Sequence, residues 1–178
     1  DACTAVVLDE TPDAAVVSNL GVASYVLAGV EDRPRNFYQW GSMGSTTPLG
    51  LGLALAVDET VTVLDGDGST LMSLGAFAPV ATYDPPNLTV VVWENGQYGT
   101  TGGQATPAGP VDLTAVVRGC GLDATAVSTV TGFRRAYRAA VAHEGASVVV
   151  CEVAPCDPDE RPPADFAHIK RRFRAAME

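Results

Sequence analysis

Asp67 lies between two glycines in "LDGDGS", directly after the apolar run "VTVL", and Asn95 opens the loop "NGQYGTTGGQ" directly after the next run, "LTVVVWE". If the two runs are neighbouring parallel strands, the carboxylate and the amide stand side by side at one edge of the sheet. That pair suits Mg²⁺, which demands octahedral oxygen coordination, takes few protein ligands and completes its shell from phosphate and water. Gly68 and Ser69 lead into a helix, whose first free N–H groups attract anions. The chemistry suggested is the holding of a metal-bound diphosphate. A second glycine-rich loop, "WGSMGSTTPLGLGLA" over Gly41–Ala54, falls after an earlier apolar run. Glycine allows close approach of the backbone to a ligand and positive φ, but either loop alone is equally well read as plain strand-to-helix turn chemistry.

Positioning these residues requires short β-branched runs that alternate with longer Ala/Leu/Gly segments, the pattern of a parallel sheet with crossover helices. Strands are predicted at Ala14–Ser18, Phe37–Gln39, Val61–Asp65, Leu88–Glu94, Ala124–Val127 and Ser147–Cys151. Helices are predicted at Val22–Ala28, Thr46–Val57, Leu71–Tyr83, Asp112–Cys120 and Thr131–Glu144, with "DACTAVVLDE" as the remainder of another. "CDPDERPP" breaks regular structure, and "DFAHIKRRFRAAM" after it reads as a solvated terminal helix. The expected fold is α/β, a three-layer sandwich around a central parallel sheet, forming one domain over residues 1–178. In such sheets ligands bind outside the carboxyl ends of the strands, where both glycine loops and Asp67 fall.

Composition narrows the function classes. The 178 residues are 47% hydrophobic and carry a net charge of −10, which opposes binding to nucleic acid or to anionic membrane surfaces. Lys170 is the sole lysine, and an acidic, lysine-poor chain suits a salt-rich cytoplasm. No apolar run approaches the roughly 20 residues of a membrane span and no signal-peptide pattern opens the chain, so a cytoplasmic protein is expected. Cys3, Cys120, Cys151 and Cys156 show no CxxC spacing and are expected to be free thiols rather than ligands of zinc or an iron–sulfur cluster. His143 and His168 fall on helical or tail segments and receive no catalytic role. "GSMGSTTPLG" lacks the GxGxxG spacing of a dinucleotide site.

Gly66, Asp67, Gly68, a spacer from Ser69 to Glu94 and then Asn95 resemble the signature of the diphosphate-binding half of thiamine-diphosphate-dependent enzymes. The resemblance implies that Asp67 and Asn95 are side-chain ligands of Mg²⁺, that Gln97 adds a backbone carbonyl, and that Gly66, Gly68, Ser69 and Tyr98 contact thiamine diphosphate. The commoner family form has two successive asparagines; Glu94 takes the first place here, and the metal ligand is the second. "WGSMG" resembles the family's second cofactor motif. It implies that Met43 is the apolar wedge under the bent cofactor, that the Gly41 carbonyl accepts from the 4′-amino group, and that Ser42 lies between them.

Within that family, "VVSNLG", "DRPRNFYQWGSMGSTTPLGLGLALA" and "NGQYGTTGGQATP" are similar to the sulfopyruvate and phosphonopyruvate decarboxylases, and the length resembles the β chain of the split form. The resemblance implies a lyase that releases CO₂ from a small 2-oxo acid. It also implies a hetero-oligomer whose α subunit brings the pyrimidine-binding domain and the glutamate that faces N1′ of the cofactor. Phe37, Tyr38 and Trp40 are candidates for that interface or for the core. Arg33 and Arg35 are candidates for the substrate's anionic group or for structural roles. Other family readings are a phosphonopyruvate-decarboxylase-like protein, a 2-oxoacid:ferredoxin oxidoreductase β subunit and an acetolactate-synthase-like carboligase. From a different class comes a non-catalytic subunit that only holds the cofactor.

Overall fold

The computed structural model describes residues 1–178. Six strands form one parallel sheet: β1 (Ala15–Ser18), β2 (Asn36–Tyr38), β3 (Val61–Gly66), β4 (Leu88–Glu94), β7 (Asp123–Val127) and β8 (Ser147–Glu152). Their order is β2-β1-β3-β4-β8-β7. β5 (Gln97–Tyr98) and β6 (Gln104–Ala105) form a separate antiparallel hairpin.

Alternate side chains along each strand face opposite layers, and both layers are apolar, as a parallel sheet covered on two sides requires. Val61, Val63, Val90, Val92, Val148 and Val150 pack with α3 (Thr46–Ala54), α5 (Phe77–Tyr83) and α6 (Leu113–Gly119). Val16, Leu64, Val91, Val149 and Cys151 pack with α1 (Ala2–Glu10), α2 (Val22–Val30), α7 (Val130–Val141) and α8 (Phe166–Met177). The expected three-layer α/β architecture is what forms. Asp112, Thr129 and Asp165 cap α6, α7 and α8, each side chain accepting from a backbone N–H three residues on. No helix is long and apolar enough to cross a membrane.

The expected helix over Leu71–Tyr83 is broken. α4 (Asp67–Met72) starts at the GDG aspartate, and Ser73, at φ −142° and ψ 43°, ends it before a 3₁₀ turn, Leu74–Ala76, that leads into α5. Pro79 sits in the first turn of α5, where the ring's missing N–H costs no hydrogen bond. The terminal helix is also more than solvated. Ile169 of α8 is 2% exposed, Phe173 meets Phe37 edge-on at 5.4 Å, and Arg172 pairs with Asp32.

Close packing at the sheet explains Gly50 of α3. A Cβ there would lie 2.0 Å from Val63 Cγ2, so only glycine lets the helix sit this near β3.

Candidate functional site

β1 has β2 on one side and β3 on the other, so the chain reverses its winding direction there and leaves a crevice beyond the strands' carboxyl ends. Residues at the ends of β1, β3 and β4 line one cleft: Asn19, then Gly66 to Ser69, then Trp93 and Asn95. Val22 and Val26 of α2 supply apolar wall, and Tyr98, Gly99 and Thr100 close it from the hairpin side.

β3 and β4 are neighbours with Gly66 opposite Trp93, which brings Asp67 and Asn95 to the same sheet edge as expected from the sequence. Asp67 is 2% exposed. Its Oδ2 accepts from the Gly96 N–H at 2.8 Å and from the Thr106 hydroxyl at 3.1 Å, and its Oδ1 accepts from the Gly68 N–H at 2.6 Å. A carboxylate has about four lone-pair sites. Three donors therefore leave one site, on Oδ1, for a cation. Asn95 Oδ1 accepts from the Gln97 N–H at 3.0 Å and keeps its other lone pair. No cluster of three His, Cys, Asp or Glu side chains is placed to cage a metal. The donor set of one carboxylate, one amide oxygen and backbone fits an ion that draws the rest of its shell from phosphate and water.

Of the sequence-predicted site residues, Met43, Gly66, Asp67, Gly68, Ser69, Asn95, Gln97 and Tyr98 share this cleft. Gly41 and Ser42 do not. They line an adjoining groove with Trp40, Leu49 and Phe166. Ser42 has φ 63° and Gly44 φ 87°, two left-handed residues that turn Met43 towards the cleft. Gly68 must be glycine, because a Cβ would stand 2.2 Å from Tyr98 Cε1. The ring thus fastens the hairpin over the GDG turn.

Three residues escaped the sequence reading. Asn19 is 6% exposed, and its signal was the quoted "SNLG" at a strand end. Thr106, 8% exposed, reaches Asp67 across a long sequence separation that no local pattern marks. Asp65 is 1% exposed and lies one residue before the motif. Burial pushes its carboxyl above the usual range, opposed by donors from Ser69, Gly66 and Thr47. Glu94 is also raised, by burial and then by the charges of Asp67, Glu152 and Asp112.

The two arginines are structural. Arg33, 9% exposed, donates to the Pro12 and Ala14 carbonyls and to Asn36, while Arg35 donates to the Asp13 carbonyl at 3.1 Å and faces Glu59 at 3.9 Å. Tyr38 is core at 2% exposure and Phe37 is half-buried, but Trp40 is 38% exposed and meets Phe166 at 5.8 Å with the rings tilted by 54°. His143 and His168 are exposed and outside the cleft. The cysteines form no disulfide.

Residues 19–151 match the model of the thiamine pyrophosphate enzyme C-terminal TPP binding domain. Sulfopyruvate decarboxylase subunit beta of Methanocaldococcus jannaschii is 38% identical over 168 residues, covering 92% of this chain and 88% of that one. Phosphonopyruvate decarboxylase of Streptomyces viridochromogenes is 42% identical over 94% of this chain, which spans 43% of that enzyme. Among solved structures, a thiamine diphosphate-dependent 4-hydroxybenzoylformate decarboxylase of Rhodococcus jostii superposes with a TM-score of 0.70 at 25% identity, over 90% of this chain and 33% of that one. The strand-end cleft, its buried Asp67 beside Asn95 and these matches lead to one assignment: the chain belongs to the thiamine pyrophosphate enzyme family, in which it corresponds to the C-terminal TPP binding domain.

Proposed function

We propose that this chain, one domain over residues 1–178, is the β subunit of a thiamine-diphosphate-dependent decarboxylase that converts sulfopyruvate to sulfoacetaldehyde and CO₂, a step of coenzyme M synthesis. The observation that carries the reading is coverage: the chain aligns nearly end to end with a β subunit but with less than half of the undivided phosphonopyruvate enzyme. The remaining half of the catalytic unit is then an α subunit with the pyrimidine-binding domain and the glutamate facing N1′.

On this reading Asp67, Asn95 and the Gln97 carbonyl would hold Mg²⁺, and the backbone around Gly66–Ser69 would face the diphosphate. Met43 would be the apolar wedge, with the Gly41 carbonyl and Ser42 beside the aminopyrimidine. When bound, thiamine diphosphate supplies the electron sink for loss of CO₂. The chain's own contribution is positioning. Gly96, Thr106 and Gly68 fix the Asp67 carboxylate before any cation arrives, so little ordering is left to be done on binding. Val22, Val26 and Met43 line the cleft with apolar surface, which excludes water from the reacting centre. Arg33 and Arg35 are held elsewhere, so on this side a sulfonate would meet neutral donors such as Asn19, Thr100 and Thr101.

The test compares the purified chain with the complex recovered through a tag on it, both given thiamine diphosphate and Mg²⁺. CO₂ release by the complex alone supports the split site; turnover by the single chain refutes it.

A further inference from the structure

We propose that Asp65 is a positioning residue that locks the "WGSMG" loop to the GDG turn, and so sets the cleft's shape before cofactor binds. The inference deepens the reading above and rests on it for the cofactor's identity, but its structural part does not depend on that identity.

Asp65 is the last residue but one of β3, 1% exposed and outside the cleft lining. A buried carboxyl is costly unless its oxygens are satisfied. Here every polar partner is a donor. Oδ1 accepts from the Gly66 N–H at 2.9 Å, and Oδ2 accepts from the Thr47 hydroxyl at 3.1 Å. The nearby Ser69 hydroxyl also favours its ionised form, while the Thr46 hydroxyl donates to Gln39 Oε1 at 2.8 Å.

These donors come from two different elements. Thr47 lies in the first turn of α3, and Ser69 lies in α4. The N-cap of α3, Ser45, makes no side-chain capping bond; Gln39, directly after β2, holds Ser45 and Thr46, and Asp65 adds the tie from Thr47 to the end of β3. Ser69 extends the connection. Its Oγ accepts from the Gly44 N–H at 2.9 Å, which leaves its own proton free to be donated towards Asp65. Donation from Ser69 to Asp65 would complete a relay from the Gly44 N–H to the carboxylate, beside the direct Thr47 bond, and such chains strengthen cooperatively in a low-dielectric interior. Gly44 and Ser42 are the left-handed residues that present Met43 to the cleft. Anchoring Gly44 thus fixes where Met43 stands relative to Asp67.

An apolar residue at 65 would serve the core equally well. A carboxylate whose acceptors collect hydroxyls from α3 and α4 serves the register between two loops that no sheet hydrogen bond connects.

Asp65→Asn keeps the shape but turns one acceptor oxygen into a donor nitrogen. The first readout is amide hydrogen exchange of the unliganded chain. The Gly44 amide is expected to exchange about tenfold or more faster in the variant, while Val61–Leu64 of β3 keep their protection. The second is thiamine diphosphate titration with Mg²⁺, followed by Trp93 fluorescence, where the apparent Kd is expected to rise about tenfold or more, within the usual range for outer-shell partners. In the complex, kcat at saturating cofactor is expected to change less than that affinity. Unchanged Gly44 exchange in a folded variant overturns the proposal. If Asp65→Asn does not fold, Thr47→Val decides: faster exchange confined to Gly44–Leu49 supports the anchor, and unaltered exchange overturns it. If Gly44 responds but the unaltered chain binds no thiamine diphosphate, the anchor stands and the functional reading fails.

Discussion

Asp67 is positioned by donors from three places: its neighbour Gly68, the Asn95–Gly96 turn and Thr106 beyond the hairpin. The proposed ligand and its support are therefore separable. Asp67→Ala removes the proposed ligand, and Mg²⁺-dependent thiamine diphosphate affinity is expected to fall by more than about 100-fold, since loss of an outer partner alone costs about 10–100-fold. Thr106→Val removes one support and is expected to cost about tenfold, read by the same Trp93 fluorescence titration. An equal loss from both changes would show that Asp67 is not the metal ligand. The sequence made Asp67 and Asn95 legible because each sits at a strand end in a glycine-rich turn. Thr106 was not legible, because its bond to Asp67 depends on how a hairpin of two-residue strands folds back, and strands that short carry no periodicity.

Among the elements, long apolar runs were read accurately. Leu88–Glu94 forms over the expected residues, and β1, β3, β7 and β8 differ by a residue or so at one end, where propensity is least decisive. The break between α4 and α5 was missed although Ser73, Gly75 and Pro79 interrupt the apolar run Leu71–Tyr83, breakers that the run's Ala, Leu and Phe content outweighed in the reading. Gly50 shows how an element is fixed by tertiary contact. Gly50→Ala would drive a methyl into Val63 and is expected to cost about 1–3 kcal/mol, read as a fall of about 2–4 °C in Tm per kcal/mol. An unchanged Tm would mean α3 can shift freely from β3. The docking of α8 depends on pH through Asp32. The Arg172 guanidinium holds the Asp32 carboxyl below its usual range, with Tyr38 adding a second hydrogen bond. A carboxyl depressed in the folded state stabilises above its unfolded pKa, about 3.9, and that contribution is lost as pH falls through the lower native value. The pair is partly exposed and contributes less than about 1 kcal/mol. α8 is expected to loosen first on acidification, seen as faster amide exchange over Phe166–Met177 below about pH 4, and Arg172→Ala should remove that pH dependence.

At the scale of the whole molecule, the cleft opens at a sheet edge and shares its Gly41–Met43 loop with a groove whose Trp40, Leu49 and Phe166 are 38%, 40% and 63% exposed. Composition disfavoured nucleic acid and membrane surfaces as partners, but an interface is a property of two surfaces, of which one sequence carries a single side. The central claim is decarboxylation of sulfopyruvate at a site to which this chain brings the metal and diphosphate half. The most direct measurement is CO₂ release by the tagged complex, with thiamine diphosphate and Mg²⁺, from sulfopyruvate, phosphonopyruvate and pyruvate in parallel. The account predicts release selective for sulfopyruvate and abolished by Asp67→Ala. A complex that binds thiamine diphosphate yet releases no CO₂ from sulfopyruvate would contradict it.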